Sequence, residues 1–250
     1  MAFLSPLDKL AAEQRAKSLQ GGGRPASERA TVRPGAVRAE RMVLPVSGGM
    51  VDMPPSELAT YQAVIDVARS QLADIQDIGK KADFKARQLP AILPFVEQYL
   101  ARGDSYPNSV AVEAMIWLFD VGDIERGLRI GLALSDQGCH VMPKRFDRGL
   151  NSFIVRAVAD WAAAQLRANQ PAAPYLENLI EAINARGWEL HPIPLGELYA
   201  LAAKHAERSE DYGAAVTWAN LAEKTNPEGA GVKTLKARCL RAAGLESQAA

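Results

Sequence analysis

Apolar and polar residues recur along this chain at the three- and four-residue spacing of helices, and no segment carries the two-residue alternation of a strand. The first strong element opens at Ser56, a good N-cap residue directly behind Pro54 and Pro55. Behind it Leu58, Tyr61, Ile65, Ala68, Leu72 and Ile75 form a heptad-like seam. Such a seam serves either self-association or packing of an amphipathic helix on its own body. The run GKKADFKARQ follows, with Lys80, Lys81, Lys85 and Arg87 at the end of that helix. Those cations suit either a phosphate backbone or the negative C-terminal end of the helix. Pro90 and Pro94 then bracket LPAILPFVEQYL, whose Ile92, Leu93, Phe95, Val96 and Leu100 read as core.

The clearest pattern spans residues 108–138. Val112, Met115, Ile116 and Phe119 line one helix, Gly122-Asp123 breaks it, and Ile124, Leu128, Gly131, Leu132 and Leu134 line a second that ends at Gly138. The small residues Gly127 and Gly131 let the two approach closely, as an antiparallel hairpin. Further helices are expected over 152–168, 172–186, 195–207, 211–225 and 230–243. EDYGAAVTWANLAEKTNP (210–227) echoes the layout of GDIERGLRIGLALSDQG (122–138), each opening on an acidic turn. The expected class is all-α, with a long N-terminal oligomerisation helix followed by antiparallel hairpins and a C-terminal part resembling tetratricopeptide repeats. The expected division is a basic arm and linker at 1–55, the heptad helix with its basic end at 56–88, a core hairpin at 89–150 and a helical region at 151–250.

Composition agrees with this. Hydrophobic residues make up 48% of the 250 and aromatics only 6%, which favours packed helices over sheets. No apolar run reaches membrane-spanning length, and the N-terminus lacks the apolar core of a signal peptide. Cys139 and Cys239 form no disulfide framework and suit a reducing cytoplasm. Charge changes the picture more. Residues 1–41 carry eight basic against four acidic side chains, so a segment of net +4 precedes a remainder of net −4. Lys9, Arg15, Lys17 and Arg24 in this arm can lie along phosphates, or can simply be solvated. Between the arm and Ser56 the density of Gly and Pro reads as a linker.

Catalytic chemistry is missing from the pattern. The nearest approach to a phosphate loop, Gly79-Lys80, lacks the first glycine and the hydroxyl residue. His140, His191 and His205 have no partner at metal-ligand spacing, and adjacent Cys139 and His140 do not converge as nucleophile and base. Asp120, Asp123 and Glu125 could gather a divalent cation, but a hairpin turn and its cap need the same residues. The expectation is no catalytic residue, no metal and no cofactor.

Three elements in order carry a resemblance: LPAILPFVEQYL, then AMIWLFDVGDIERGLRIGLALSDQG, then the methionine-proline-basic run HVMPKRFDRG. The chain resembles the small terminase subunit of temperate tailed phages of the contractile-tail, cohesive-end type, most specifically over 89–148 and through Trp117, Leu118, Asp120, Gly122, Asp123 and Ile124. The resemblance implies a non-catalytic protein that binds double-stranded phage DNA near the packaging site and assembles as a homo-oligomeric ring. It would hand DNA to a large subunit holding the ATPase and nuclease, in the cytoplasm of the bacterial host and outside the mature virion. DNA contact would then fall on Lys9, Arg15, Lys17, Arg24, Lys80, Lys81, Lys85 and Arg87, with Lys144, Arg145 and Arg148 as a second candidate. Oligomer contact would fall on Leu58, Tyr61, Ile65, Leu72 and Ile75. The competing function is a tetratricopeptide-like adaptor that grips a protein partner without DNA.

Overall fold

The computed structural model describes residues 55–244, so Lys9, Arg15, Lys17 and Arg24 lie outside the described residues. Those residues form nine helices and no strand: α1 (Pro55–Asp74), α2 (Ile78–Arg102), α3 (Ser109–Asp120), α4 (Ile124–Gln137), α5 (Leu150–Arg167), α6 (Tyr175–Arg186), α7 (Pro192–Arg208), α8 (Tyr212–Thr225) and α9 (Lys233–Ala242). None of these helices is long and apolar enough to cross a membrane.

The centre is α3. Every residue from Val110 to Leu118 is buried, including Glu113, so this short helix is enclosed on all sides. Helices α1, α2 and α4 pack around it, α5 and α6 continue from α4, and α7, α8 and α9 close the far end. The heptad seam of α1 is turned inward: Ile65, Ala68 and Leu72 are buried, Leu58, Tyr61 and Ile75 pack partly buried on the core, and the Tyr61 ring stacks on Phe95. The seam is thus occupied by the chain's own body, while Val64 and Val67 on the other face are exposed.

Two features depart from the expected layout. Lys80 and Lys81 do not end α1; they sit in the first turns of the separate helix α2, which Asp77 caps by accepting the Lys80 N–H at 2.8 Å. Helix α2 also runs through Pro90 and Pro94, so the boundary expected between 88 and 89 falls inside it. Each proline removes a backbone donor. Both are exposed, while Leu89, Ile92, Leu93, Phe95, Val96 and Tyr99 are buried, and that tertiary packing keeps the helix continuous.

The turns are where the sequence speaks most directly. Leaving α3, the Gly122 N–H bonds to Phe119 O at 3.1 Å and the Asp123 N–H to Leu118 O at 2.9 Å, the Schellman pair. Gly122 takes φ +79°, and Asp123 caps α4 through the Arg126 N–H at 3.1 Å. The turn from α7 to α8 repeats this, with the Glu210 N–H to Glu207 O at 3.1 Å, the Asp211 N–H to Ala206 O at 3.0 Å, and Asp211 capping α8 through the Ala214 N–H. Here Glu210 holds φ +63°, a conformation that costs a non-glycine residue about 1–2 kcal/mol. The echo between 122–138 and 210–227 is therefore a shared turn geometry. Helices α7 and α8 then pack through small residues: Ala203, Ala215, Ala219 and Ala222 are fully buried, and a Cβ at Gly196 would stand 2.6 Å from Asn226 Cβ.

A polar knot closes the ends of α2, α3 and α4. The Tyr99 hydroxyl, fully buried, lies 2.8 Å from both Tyr106 O and Gln137 Oε1, and Gln137 Nε2 donates to Asp104 O. The Asn108 N–H donates to His140 Nδ1 at 3.3 Å, which leaves the ring proton on Nε2, 2.5 Å from Gln137 Oε1. Burial holds His140 below its ordinary pKa, and burial does the same to His205 despite its bond to Ala162 O.

Two outcomes follow. Glu210→Gly is expected to leave stability unchanged or raise it by up to about 1 kcal/mol, while Gly122→Ala lowers it by about 1–2 kcal/mol, read by urea unfolding. For the histidines the unfolded chain binds protons first. Stability is thus complete above about pH 6.5 and is lost as pH falls toward the folded values, by up to about 1.4 kcal/mol per pH unit for each ring. His140→Gln should remove that ring's share of the loss below about pH 6.5 and leave the share of His205.

Candidate nucleic-acid interface

Glu113 lies inside α3 with only 3% of its surface exposed, and two donors hold it. The indole N–H of Trp117, one turn on, donates to its Oε1 at 2.8 Å, and Arg145 Nη2 reaches the same oxygen at 2.6 Å from the loop after α4. The Arg145 guanidinium also sits 4.8 Å over the Phe146 ring. A buried carboxylate thereby pins the basic loop to the centre of the fold. At the end of α3, Asp120 accepts Lys85 Nζ at 2.5 Å, drawing the first turns of α2 to the same flank.

Between these anchors lies a cavity of about 400 Å³, where Arg69, Lys81, Lys85 and Arg145 stand with Glu113 and Asp120. Four cations against two carboxylates leave it at net +2. Asp120, Arg145 and Phe146 also form a wall of a second cavity of about 870 Å³, which adds Arg148, Arg156, Asp147, Asp160 and the rings of Phe119, Phe153 and Trp161. The two cavities adjoin across these three shared residues.

The structure joins two runs that the sequence presents separately, because Lys81 and Lys85 share a cavity with Arg145, and Arg148 lines the next. Lys80, Arg87 and Lys144 are exposed and line neither. The acidic trio disperses: Asp120 meets Lys85, Asp123 caps α4 and pairs with Arg126 at 2.5 Å, and Glu125 accepts the Tyr175 hydroxyl at 3.4 Å. Among the described residues no three His, Cys, Asp or Glu side chains gather as metal ligands. Cys139 and Cys239 are free thiols, the latter buried.

Arg69, Glu113 and Arg156 carry no motif or spacing that singles them out in the sequence, and Phe153 and Trp161 fall at apolar-stripe positions of the helix expected over 152–168. The available signal was Phe146, an aromatic set inside the basic run KRFDR.

Residues 62–192, more than half of the chain, match the model of the phage small terminase subunit family. The chain belongs to that family. The matched stretch contains every residue of both cavities. Among curated proteins, the chain is 30% identical over 175 residues to a protein named probable terminase, endonuclease subunit, of Haemophilus phage HP1 (strain HP1c1). That alignment covers 64% of this chain and 61% of the relative, so the chain spans about three fifths of the relative's length. No solved structure matches. The Trp-x-x-Asp-x-Gly-Asp-Ile stretch of this small terminase chain has a physical reading: Trp117 satisfies Glu113, Asp120 fixes Lys85, Gly122 makes the left-handed turn, Asp123 caps α4 and Ile124 is buried.

Arg145→Ala leaves a buried carboxylate with one donor and is expected to cost roughly 2 kcal/mol in urea unfolding. Glu113→Gln keeps an acceptor for Trp117 and removes the buried charge, and should cost less, roughly 1 kcal/mol.

Proposed function

We propose that this chain is the DNA-binding, non-catalytic subunit of a phage packaging terminase. It holds double-stranded viral DNA near the packaging site and delivers it, in the cytoplasm of the host, to a large subunit that carries the ATPase and nuclease. The observation that supports this best is the convergence of Arg69, Lys81, Lys85 and Arg145 on one cavity of net +2. These cations come from three separate parts of the chain. Lys80 and Lys81 moreover occupy the first turns of α2, where the helix macrodipole is already positive, so they oppose it. A phosphate placed there offsets both, and the basic segment 1–41 extends the same electrostatic pull. The relative's printed name speaks of an endonuclease subunit. For this chain the non-catalytic assignment draws support from the absence of a complete phosphate loop in the sequence and from the structural partners of Asp120, Asp123 and Glu125.

Ring assembly in this proposal uses the outward face of α1 in place of the buried seam. Ala63, Val64, Val67 and Gln71 line an open depression beside Gln88, and Val67 is 60% exposed. Light scattering is expected to report several subunits; a 27.0 kDa species with salt-insensitive protein binding would favour the adaptor instead.

The DNA assignment is tested with Arg69→Glu combined with Lys81→Glu, which spares the Lys85–Asp120 pair. Affinity for duplex DNA should fall at least tenfold at about 50 mM salt, and the slope of log affinity against log salt should shrink by about 0.9 for each phosphate no longer neutralised. Unchanged affinity would remove this flank from the interface.

A further inference from the structure

The two adjoining cavities differ in a way that duplex binding alone does not use. The smaller carries net +2. In the larger, Arg145, Arg148 and Arg156 are matched by Asp120, Asp147 and Asp160, so it is charge-balanced, and its walls are aromatic. Phe153 meets Phe146 edge-on with ring centres 5.1 Å apart, and Trp161 meets Tyr175 edge-on at 5.7 Å. Both Phe153 and Trp161 are partly exposed, and among the described residues no ring is stacked flat on either. A bare anion gains nothing from a balanced cavity and prefers the smaller one. A neutral planar group gains ring contact, and the guanidinium and carboxylate groups of Arg156 and Asp160, 2.9 Å apart on one helix, offer donors and acceptors to its edge. A volume of about 870 Å³ lies within the range of small-molecule sites, roughly 300–1,000 Å³.

We infer that the larger cavity receives an unstacked base of single-stranded DNA while the adjoining phosphate sits at the smaller, positive cavity. Duplex bases are covered by their neighbours and cannot enter; an unpaired strand presents both a ring face and a phosphate within one nucleotide. Arg145, over Phe146 and shared by both cavities, stands at the junction. The inference rests on the DNA-binding reading above and adds the form of DNA that this flank prefers.

The experiment uses the full chain and fluorescence anisotropy with two labelled probes, a blunt duplex and the same duplex with an unpaired oligothymidine extension of about ten nucleotides. The extended probe should bind roughly tenfold more tightly. Trp161→Leu should abolish that preference, the two probes then binding equally, and Trp161→Phe, which keeps a ring, should retain most of it. Equal affinity of the wild-type chain for the two probes would overturn the inference and leave duplex binding standing. An equal drop on both probes in Trp161→Leu would also overturn it. Displacement of the extension by thymidine monophosphate at matched nucleotide concentration would overturn the strand assignment, since the cavity would then take free nucleotides. Failure to bind either probe would refute the DNA-binding reading itself, and the inference with it.

Discussion

One buried carboxylate organises the charged flank. Glu113 sits in a helix enclosed on every side, where an ionised group is strongly penalised unless donors surround it. Trp117 supplies one donor from within the helix, but the charge needs a cation, and the fold brings Arg145 from a loop 32 residues away. That demand fixes the path of the loop after α4, and with it Phe146 and Arg148. Replacing the whole set, Glu113 with its partners Trp117 and Arg145, by well-packed apolar groups would give a core of similar stability. What it would forfeit is the placement of a guanidinium at the meeting point of two cavities.

The cations of α2 carry the opposite lesson. Lys80 and Lys81 crowd a helix N-terminus whose own dipole repels them, although Asp77 caps the helix and Lys85 has Asp120. A sequence optimised for stability alone would place acids there. A local rule is thus broken at the place where, in the proposed DNA interface, a bound phosphate would restore the balance.

Much of the fold was legible because its punctuation is local. Asn108, Asp123, Gly122, Gly138 and Gly187 each cap or end a helix through hydrogen bonds within a few residues, so the bounds of α3 and α4 and the end of α6 could be read directly; α5 and α6 open without a side-chain cap, at Leu150 and Tyr175, and their expected starts at 152 and 172 missed by two and three residues. Helix α2 could not, because Pro90 and Pro94 are local breakers overruled by distant packing around Ile92, Phe95 and Tyr99. The seam of α1 shows a different limit. A heptad pattern states that one face is covered, and is silent about whether the cover is another chain or, as here, Phe95 and the central helix. The two cavities were least legible of all: Arg69 and Lys85 of the smaller and Arg156 of the larger share no spacing, and among the cations only Arg145 lines both.

The polar knot at Tyr99 reaches further than its few hydrogen bonds suggest. Tyr99 and Gln137 are 38 residues apart, and their contact turns α2, α3 and α4 into a closed circuit with α3 threaded through its middle. Such a circuit is expected to open as one unit with slowly exchanging amides, while the last described helix, α9, which packs on α8 and α7, can fray without breaking it. The chain would then keep an intact central unit through partial melting of its C-terminal end. Because Glu113 and Asp120 lie on that unit, the contacts that hold Arg145 and Lys85 would persist while α9 frays.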